Sequence, residues 1–222
     1  MRSSKRETRK NDPDKTKEDI LAAATEEFAA LGLAGGRVDA IAERTKTSKR
    51  MIYYYFGSKN GLYLAVLEKA YSQARTYETD LNLAALEPIE ALRKLINHTF
   101  DHDEASPDFV RLVMNENIHR AAHLKQSKVI ADFSVPALTA LDDIIRRGRE
   151  TGVFKHEIEA VDLHMLISSL CFFRVTNRHT FGTIFQCDLS DPETYRRHRQ
   201  MASDTILAYV TSDCSTAQKT DP

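Results

Sequence analysis

Apolar residues recur along the chain at intervals of three and four, and no stretch carries the apolar–polar alternation of a half-buried strand. The pattern predicts an all-α protein. A first helix begins at Thr16, with Asp19 three residues on in a capping-box-like position. It carries Ile20, Leu21, Ala24, Phe28 and Leu31 on one face and stops at Gly32. Two short helices, 38–45 and 48–55, follow across a few polar residues. A longer one runs from beyond Ser58 to about residue 81, with Leu62, Ala65, Val66, Lys69 and Tyr71. Pro88, Pro107 and Pro192 each stand where a first helical turn would begin, and Ser106 and Asp191 precede two of them as N-caps. Pro136 falls inside the helical stretch 125–151 and predicts a kink or break near Ser134, and Gly152 closes that stretch. The segment 161–176 is apolar on nearly every face, so it faces its own core on one side and a second subunit on the other. A last helix, 192–210, offers Met201, Ile206, Leu207 and Val210 as a partner stripe.

Composition narrows the class. At 42% hydrophobic and 28% charged, the 222 residues are those of an ordinary globular protein of one large or two modest domains. No apolar run approaches the ~20 residues of a membrane span, and no hydrophobic segment follows the basic N-terminus, so it is not a secretory signal. Cys171, Cys187 and Cys214 have neither metal-like nor redox-like spacing, which predicts a reduced, cytoplasmic protein. The net charge of −1 hides an asymmetry. Residues 1–60 carry thirteen Lys/Arg against nine Asp/Glu, a net +4, and the remainder carries −5. The excess is concentrated in the first ten residues, a solvated tail unless a nucleic-acid reading head follows it.

Residues 38–55 have the form of such a head. Val38, Ile41, Ala42, Ile52 and Phe56 fill the angle between two short helices, small Ala42 permitting their close approach. This is the spacing of a helix-turn-helix, whose second helix enters the major groove. Ser48 is an N-cap for that helix, and Lys49 and Arg50 project at its N-terminal end, where a long cation can pair with guanine O6 and N7. From spacing alone a plain helical hairpin in a bundle fits equally well. Against the hairpin stand the wholly basic charge of 48–59, tyrosine hydroxyls at positions that cannot all be buried, and Lys59 at the start of the next helix, where backbone N–H groups favour a phosphate.

The segments ILAAATEEFAALG, VDAIAERTKTSK and IYYYFGSKNGLYLAVLE, and their spacing, resemble the tetracycline-repressor (TetR) family of bacterial transcription factors. The likeness is dense over 16–68 and rests on the signature S-K-x-x-[LI]-Y-x-[YH]-F-x-[SN]-K. It implies an N-terminal three-helix helix-turn-helix DNA-binding domain (15–60) behind a flexible tail (1–14). A larger C-terminal helical ligand-binding and dimerisation domain (61–211) and a disordered tail (212–222) would follow. By resemblance, Lys49, Arg50 and Tyr53 lie at base edges or nearby sugars, Tyr54 and Lys59 on phosphates, and Thr47 at the rim. Ser48 and Met51 belong to the same surface, and Tyr55 and Phe56 are packing. The chain departs from the family's common pattern at Arg37 (commonly a Thr N-cap), Lys46 (usually Gly), Thr47 (usually apolar) and Arg50-Met51 (commonly Gly-Thr or Gly-Ala). The last departure points to an unusual operator.

The expected function is a ligand-responsive, dimeric repressor bound to a pseudo-palindromic double-stranded DNA operator and released by a small-molecule effector. The subunits would pair through the two C-terminal helices, with no cofactor and no membrane partner. The effector pocket is expected among the later helices, with Phe100, Phe109, Val113, Phe133, Leu141 and Phe172 as walls and Asn115, His119 and Asn177 as polar points. An activator, or a metal-responsive regulator using the four-apart pairs His98/His102 or His119/His123, is the alternative. No G-x-S-x-G, phosphate-binding glycine loop or H-E-x-x-H motif suggests an enzyme.

Overall fold

A computed structural model describes residues 12–79 and 81–213, excluding the side chains of 75–79, 131, 133 and 134. Most of the expected N-terminal tail (1–14) and most of the C-terminal one (212–222) therefore lie outside the described residues, and residues 12–14 are not tail but the capped start of α1. Among those described, the regular structure is helical: α1 (Pro13–Gly35), α2 (Val38–Thr45), α3 (Lys49–Phe56), α4 (Lys59–Thr79), α5 (Pro88–Ala105), α6 (Pro107–Ile118), α7 (Ile130–Glu150), α8 (Ala160–Thr176), α9 (Arg178–Phe185) and α10 (Pro192–Thr211). The chain forms two compact units that divide within α4, between Leu67 and Glu68.

In the first unit α1 starts earlier than its apolar stripe suggests. Asp12 is the N-cap, accepting from the N–H groups of Asp14 and Lys15, and Pro13 takes the first helical position, where its missing donor costs nothing. The helix leaves regular geometry at Gly32 (φ 65°), the predicted stop, before one further turn. Ile20, Ala24 and Phe28 are buried, whereas Leu31 remains largely exposed. Phe28 meets Tyr63 of α4 edge-on at 5.2 Å, and with Val38, Ile41, Ile52, Leu62 and Val66 they form the core of this unit.

Buried among these apolar groups is Glu27, only 4% exposed. Its Oε1 accepts the backbone N–H of Arg37 at 2.9 Å, and its Oε2 accepts Arg44 Nη2 at 3.0 Å. Arg37 immediately precedes α2 and makes no side-chain cap, while Arg44 lies in the last turn of α2. One carboxylate of α1 therefore holds both ends of α2. Pairing also offsets the desolvation of the buried charge.

In the second unit α5, α7, α8 and α10 enclose a core of Leu92, Ile96, Phe100, Leu141, Ile144, Leu163, Ile167, Ile206 and Val210. The three prolines open α5, α6 and α10 as predicted. Asp191 caps α10 by accepting from Thr194 N–H at 2.8 Å, whereas Ser106 makes no side-chain cap bond. Pro136 does not end a helix. α7 begins only at Ile130, so the proline falls in its second turn, and the helix continues to Glu150 across the one donor it lacks. α8 is buried along Leu163, Ile167 and Cys171 but leaves Val161, Met165, Leu170 and Phe173 exposed on its other side.

Asp101 of α5 accepts Arg199 of α10 through both oxygens, at 2.7 and 2.8 Å, and also accepts the Tyr195 hydroxyl. Burial pushes the Asp101 carboxyl up, but the Arg199 and Tyr195 hydrogen bonds outweigh it and hold the group below its ordinary value. Tyr195 is pushed up to about 12, first by burial and then by the carboxylate it donates to.

Two outcomes are expected. Glu27→Ala removes the partner of both ends of α2 and lowers stability by about 1–3 kcal/mol in urea denaturation, the cost of orphaning a buried hydrogen-bonded group. A depressed folded-state carboxyl contributes stability that is present above its unfolded value, near 3.9, and lost as pH falls through the lower folded value. Wild-type midpoints should therefore drop more steeply below about pH 4 than those of Asp101→Asn, compared by urea melts across that range.

Candidate functional site

The turn between α2 and α3 is built by backbone geometry that the side chains tolerate rather than favour. Lys46 is left-handed (φ 52°, ψ 32°), where glycine is the easy residue, and the strain is on the order of 1 kcal/mol. In return the Thr47 N–H reaches back to the carbonyl of Ala42 at 3.1 Å, closing the C-terminus of α2. Ser48 then caps α3, its Oγ accepting the Met51 N–H at 3.2 Å.

Buried Ile52 anchors α3 to its own unit, with Met51, Tyr55 and Phe56 half-buried beside it. Lys49, Arg50, Tyr53 and Tyr54 are exposed, and Tyr54 is 78% so. An eight-residue helix held by one isoleucine thus presents two cations and two phenols on its free side. Lys49 pairs with Asp39 of α2 at 3.1 Å, which positions its ammonium at the N-terminal end of α3. Arg50 makes no hydrogen bond or ion pair among the described residues, so its donor fork is available to a base or phosphate. Lys59 occupies the first position of α4 behind Ser58, whose Oγ accepts Gly61 N–H at 3.0 Å. The Lys59 ammonium donates to the Ala34 carbonyl at 3.3 Å. Glycine is required at 61, because a Cβ there would lie 2.1 Å from the Phe56 carbonyl oxygen.

The second unit holds a cavity of about 500 Å³ between α4, α5, α6 and α8. Of the anticipated pocket residues, Phe109, Val113 and Phe172 line it. Phe100 and Leu141 do not: both are buried in the helix core, Phe100 against Tyr195 at 5.3 Å. Asn115 does not line it either. His119 is exposed at the C-terminus of α6, and Asn177 spends its amide on the Phe173 carbonyl and Thr176 hydroxyl at the end of α8. The Phe133 side chain lies outside the described residues. The polar points are instead His98, His102, His164, Ser168 and Asp103, which periodicity alone could not separate from solvent-facing positions.

His98 and His102 both line the cavity, and His123 Nδ1 meets Glu116 at 2.9 Å. Among the described residues no group of three His, Cys, Asp or Glu is placed to hold a metal ion. The Cys171 thiol is pushed up to about 12, mainly by burial and then by the charge of Asp103, so it is protonated at neutral pH and no nucleophile. Among the described residues no helix is long and apolar enough to cross a membrane.

Comparison with known proteins agrees with this geometry at both ends of the chain. The model for bacterial regulatory proteins of the tetR family matches residues 20–66, and the model for a tetracyclin repressor-like C-terminal domain matches residues 88–206. The chain is 35% identical over 207 residues to the HTH-type transcriptional repressor NicS of Pseudomonas putida, covering 93% of this chain and 98% of that one. It is 32% identical over 167 residues to the HTH-type transcriptional repressor SCO4008 of Streptomyces coelicolor, covering 74% and 80%. The crystal structure of HlyIIR, a hemolysin II transcriptional regulator, superposes with a TM-score of 0.64 at 25% identity, covering 91% of this chain and all of that one. A tetR-family regulator from Rhodococcus RHA1 shares the fold, with a TM-score of 0.68 at 21% identity over 90% of this chain and 99% of that one. A helix-turn-helix that exposes Lys49, Arg50, Tyr53 and Tyr54, ahead of a helical domain matched over most of its length, makes this chain a member of the TetR family of DNA-binding transcriptional regulators.

Proposed function

We propose that the protein is a homodimeric repressor in the cytoplasm that occupies a pseudo-palindromic operator and leaves it when a small molecule enters the cavity of the second unit. The observation that carries this reading is the free face of α3, cationic at its N-terminal end and phenolic along its length. Arg50 and Lys49 read base edges, Tyr53 contacts bases or sugars, and Tyr54 and Lys59 grip phosphates. Thr47 forms the rim, and Ser48 and Met51 set the helix entry. One such head binds weakly; two heads about 34 Å apart read two half-sites.

The dimer is formed by α8 and α10. Val161, Met165 and Phe173 of α8 are 59%, 62% and 52% exposed, and Met201 and Tyr209 of α10 are exposed as well. Exposed apolar side chains at this density on two helices of one unit favour burial against a second copy. A ligand bound in the cavity favours a state whose two heads are wrongly spaced, and its leverage is its difference in affinity for the two states. Occupancy does this work without turnover.

Arg50→Ala should relax specificity at one or two operator bases by about 1–3 kcal/mol each, measured by competition among point-substituted operators. Lys59→Ala should weaken all sequences alike and lower the salt slope by about one. Wild-type-like binding by both variants would sink the assignment of this surface. Phe173→Glu should shift sedimentation from dimer to monomer, and an unchanged dimer would exclude α8 from the interface.

A further inference from the structure

The exposed side of α8 and α10 carries charge in an order along its length that its apolar residues alone do not explain. The two helices run antiparallel: Met165 shares a groove with Tyr209 at one end, and Phe173 shares another with Met201 towards the other. The first groove is also lined by Glu157, Glu159 and Asp162, with no Lys or Arg among its described lining residues. The second is also lined by Arg174 and Arg197, with no Asp or Glu among its described lining residues. His198 lines it too and is held below its ordinary value, first by burial and then by Arg197 and Arg174, so the positive charge there is that of the arginines. Within the subunit Arg149 meets Glu157, and Glu104 meets Arg174. That leaves exposed Glu159, Asp162 and Arg197 without an ion pair among the described residues.

Helix lengths place these charges symmetrically. Asp162 precedes Ser169 on α8 by seven residues, and Arg197 precedes Thr205 on α10 by eight. Ser169 and Thr205 are exposed and line one groove, which makes them the midpoint of the face. At about 1.5 Å per residue the two charges stand about 10–12 Å to either side of it. A two-fold axis through the midpoint, perpendicular to the helices, lays each acidic end over the other copy's basic end. An axis along the helices would set like charges together.

We propose that a second copy of this chain covers this face with its helices reversed, so that Arg197 of each subunit pairs with Asp162 of the other, with Glu159 beside it. The proposal rests on the dimer reading above and adds its direction. The apolar middle supplies affinity, and the charged ends select the orientation.

The test makes Asp162→Arg and Arg197→Glu in the full-length protein, separately and together, and follows dimers by sedimentation and native mass spectrometry. Each single variant sets like charges at both ends of its own dimer and should raise the dissociation constant at least about tenfold. The double variant should return to within about threefold of wild type. An equal mixture of the two single variants should form mixed dimers in preference to either homodimer, because every charge then meets its opposite. Circular dichroism confirms native helicity of each variant. A salt series on the wild type needs no variant at all: dissociation should increase between about 0.05 and 0.5 M NaCl as screening weakens the pairs. Single variants as tight as wild type, a double variant as weak as the singles, or a wild-type dimer indifferent to salt would each overturn the charge pairing and leave the dimer in place. A wild type that sediments only as monomer would remove the dimer reading and the pairing with it.

Discussion

The carboxylate of Glu27 is the interaction on which the reading surface depends. Helix α2 is eight residues long, too short to be stable alone, and its N-terminal position offers no side-chain cap. Glu27 supplies what the local sequence lacks, accepting the N–H of Arg37 at one end and the guanidinium of Arg44 at the other. With α2 fixed on α1, the left-handed Lys46 and the cap at Ser48 set the path into α3, and Ile52 sets its rotation. The exposure of Lys49, Arg50, Tyr53 and Tyr54 follows from that rotation.

The second unit is organised by asymmetry of burial. Prolines and caps open its helices, and α8 packs one side into the core while its other side stays apolar and exposed. On the α5–α6 side of α8 the packing is incomplete and leaves the cavity, where the buried carboxylate of Asp103 lies. The fully bonded Asp101, two residues earlier on α5, shows the contrast. Its two oxygens accept from Arg199 and Tyr195, so it ties two helices together.

The exposed face of α3 was legible because it is a local matter. A capping serine, a buried position at Ile52 and a period of 3.6 residues separate Tyr53 and Tyr54 from half-buried Tyr55 within one turn of helix. The cavity was legible only in part. Phe109, Val113 and Phe172 were recoverable as apolar positions on the right helices, but Phe100 and Leu141 have the same character and lie in the core. The break expected near Ser134 is absent: α7 runs from Ile130 through Pro136 to Glu150 and forgoes the one hydrogen bond that the proline cannot donate.

The sequence by itself determined most of the helices, the caps at Ser48 and Asp191 and the outward face of α3, since each depends on residues within about a turn of one another. Only the tertiary structure decided which charged groups went inside and whom they met there. Glu27 and Asp103 look like ordinary surface acids in the chain, and their burial is settled by partners and walls contributed by other helices. One met two donors and became a strut. The other lines a cavity beside His102.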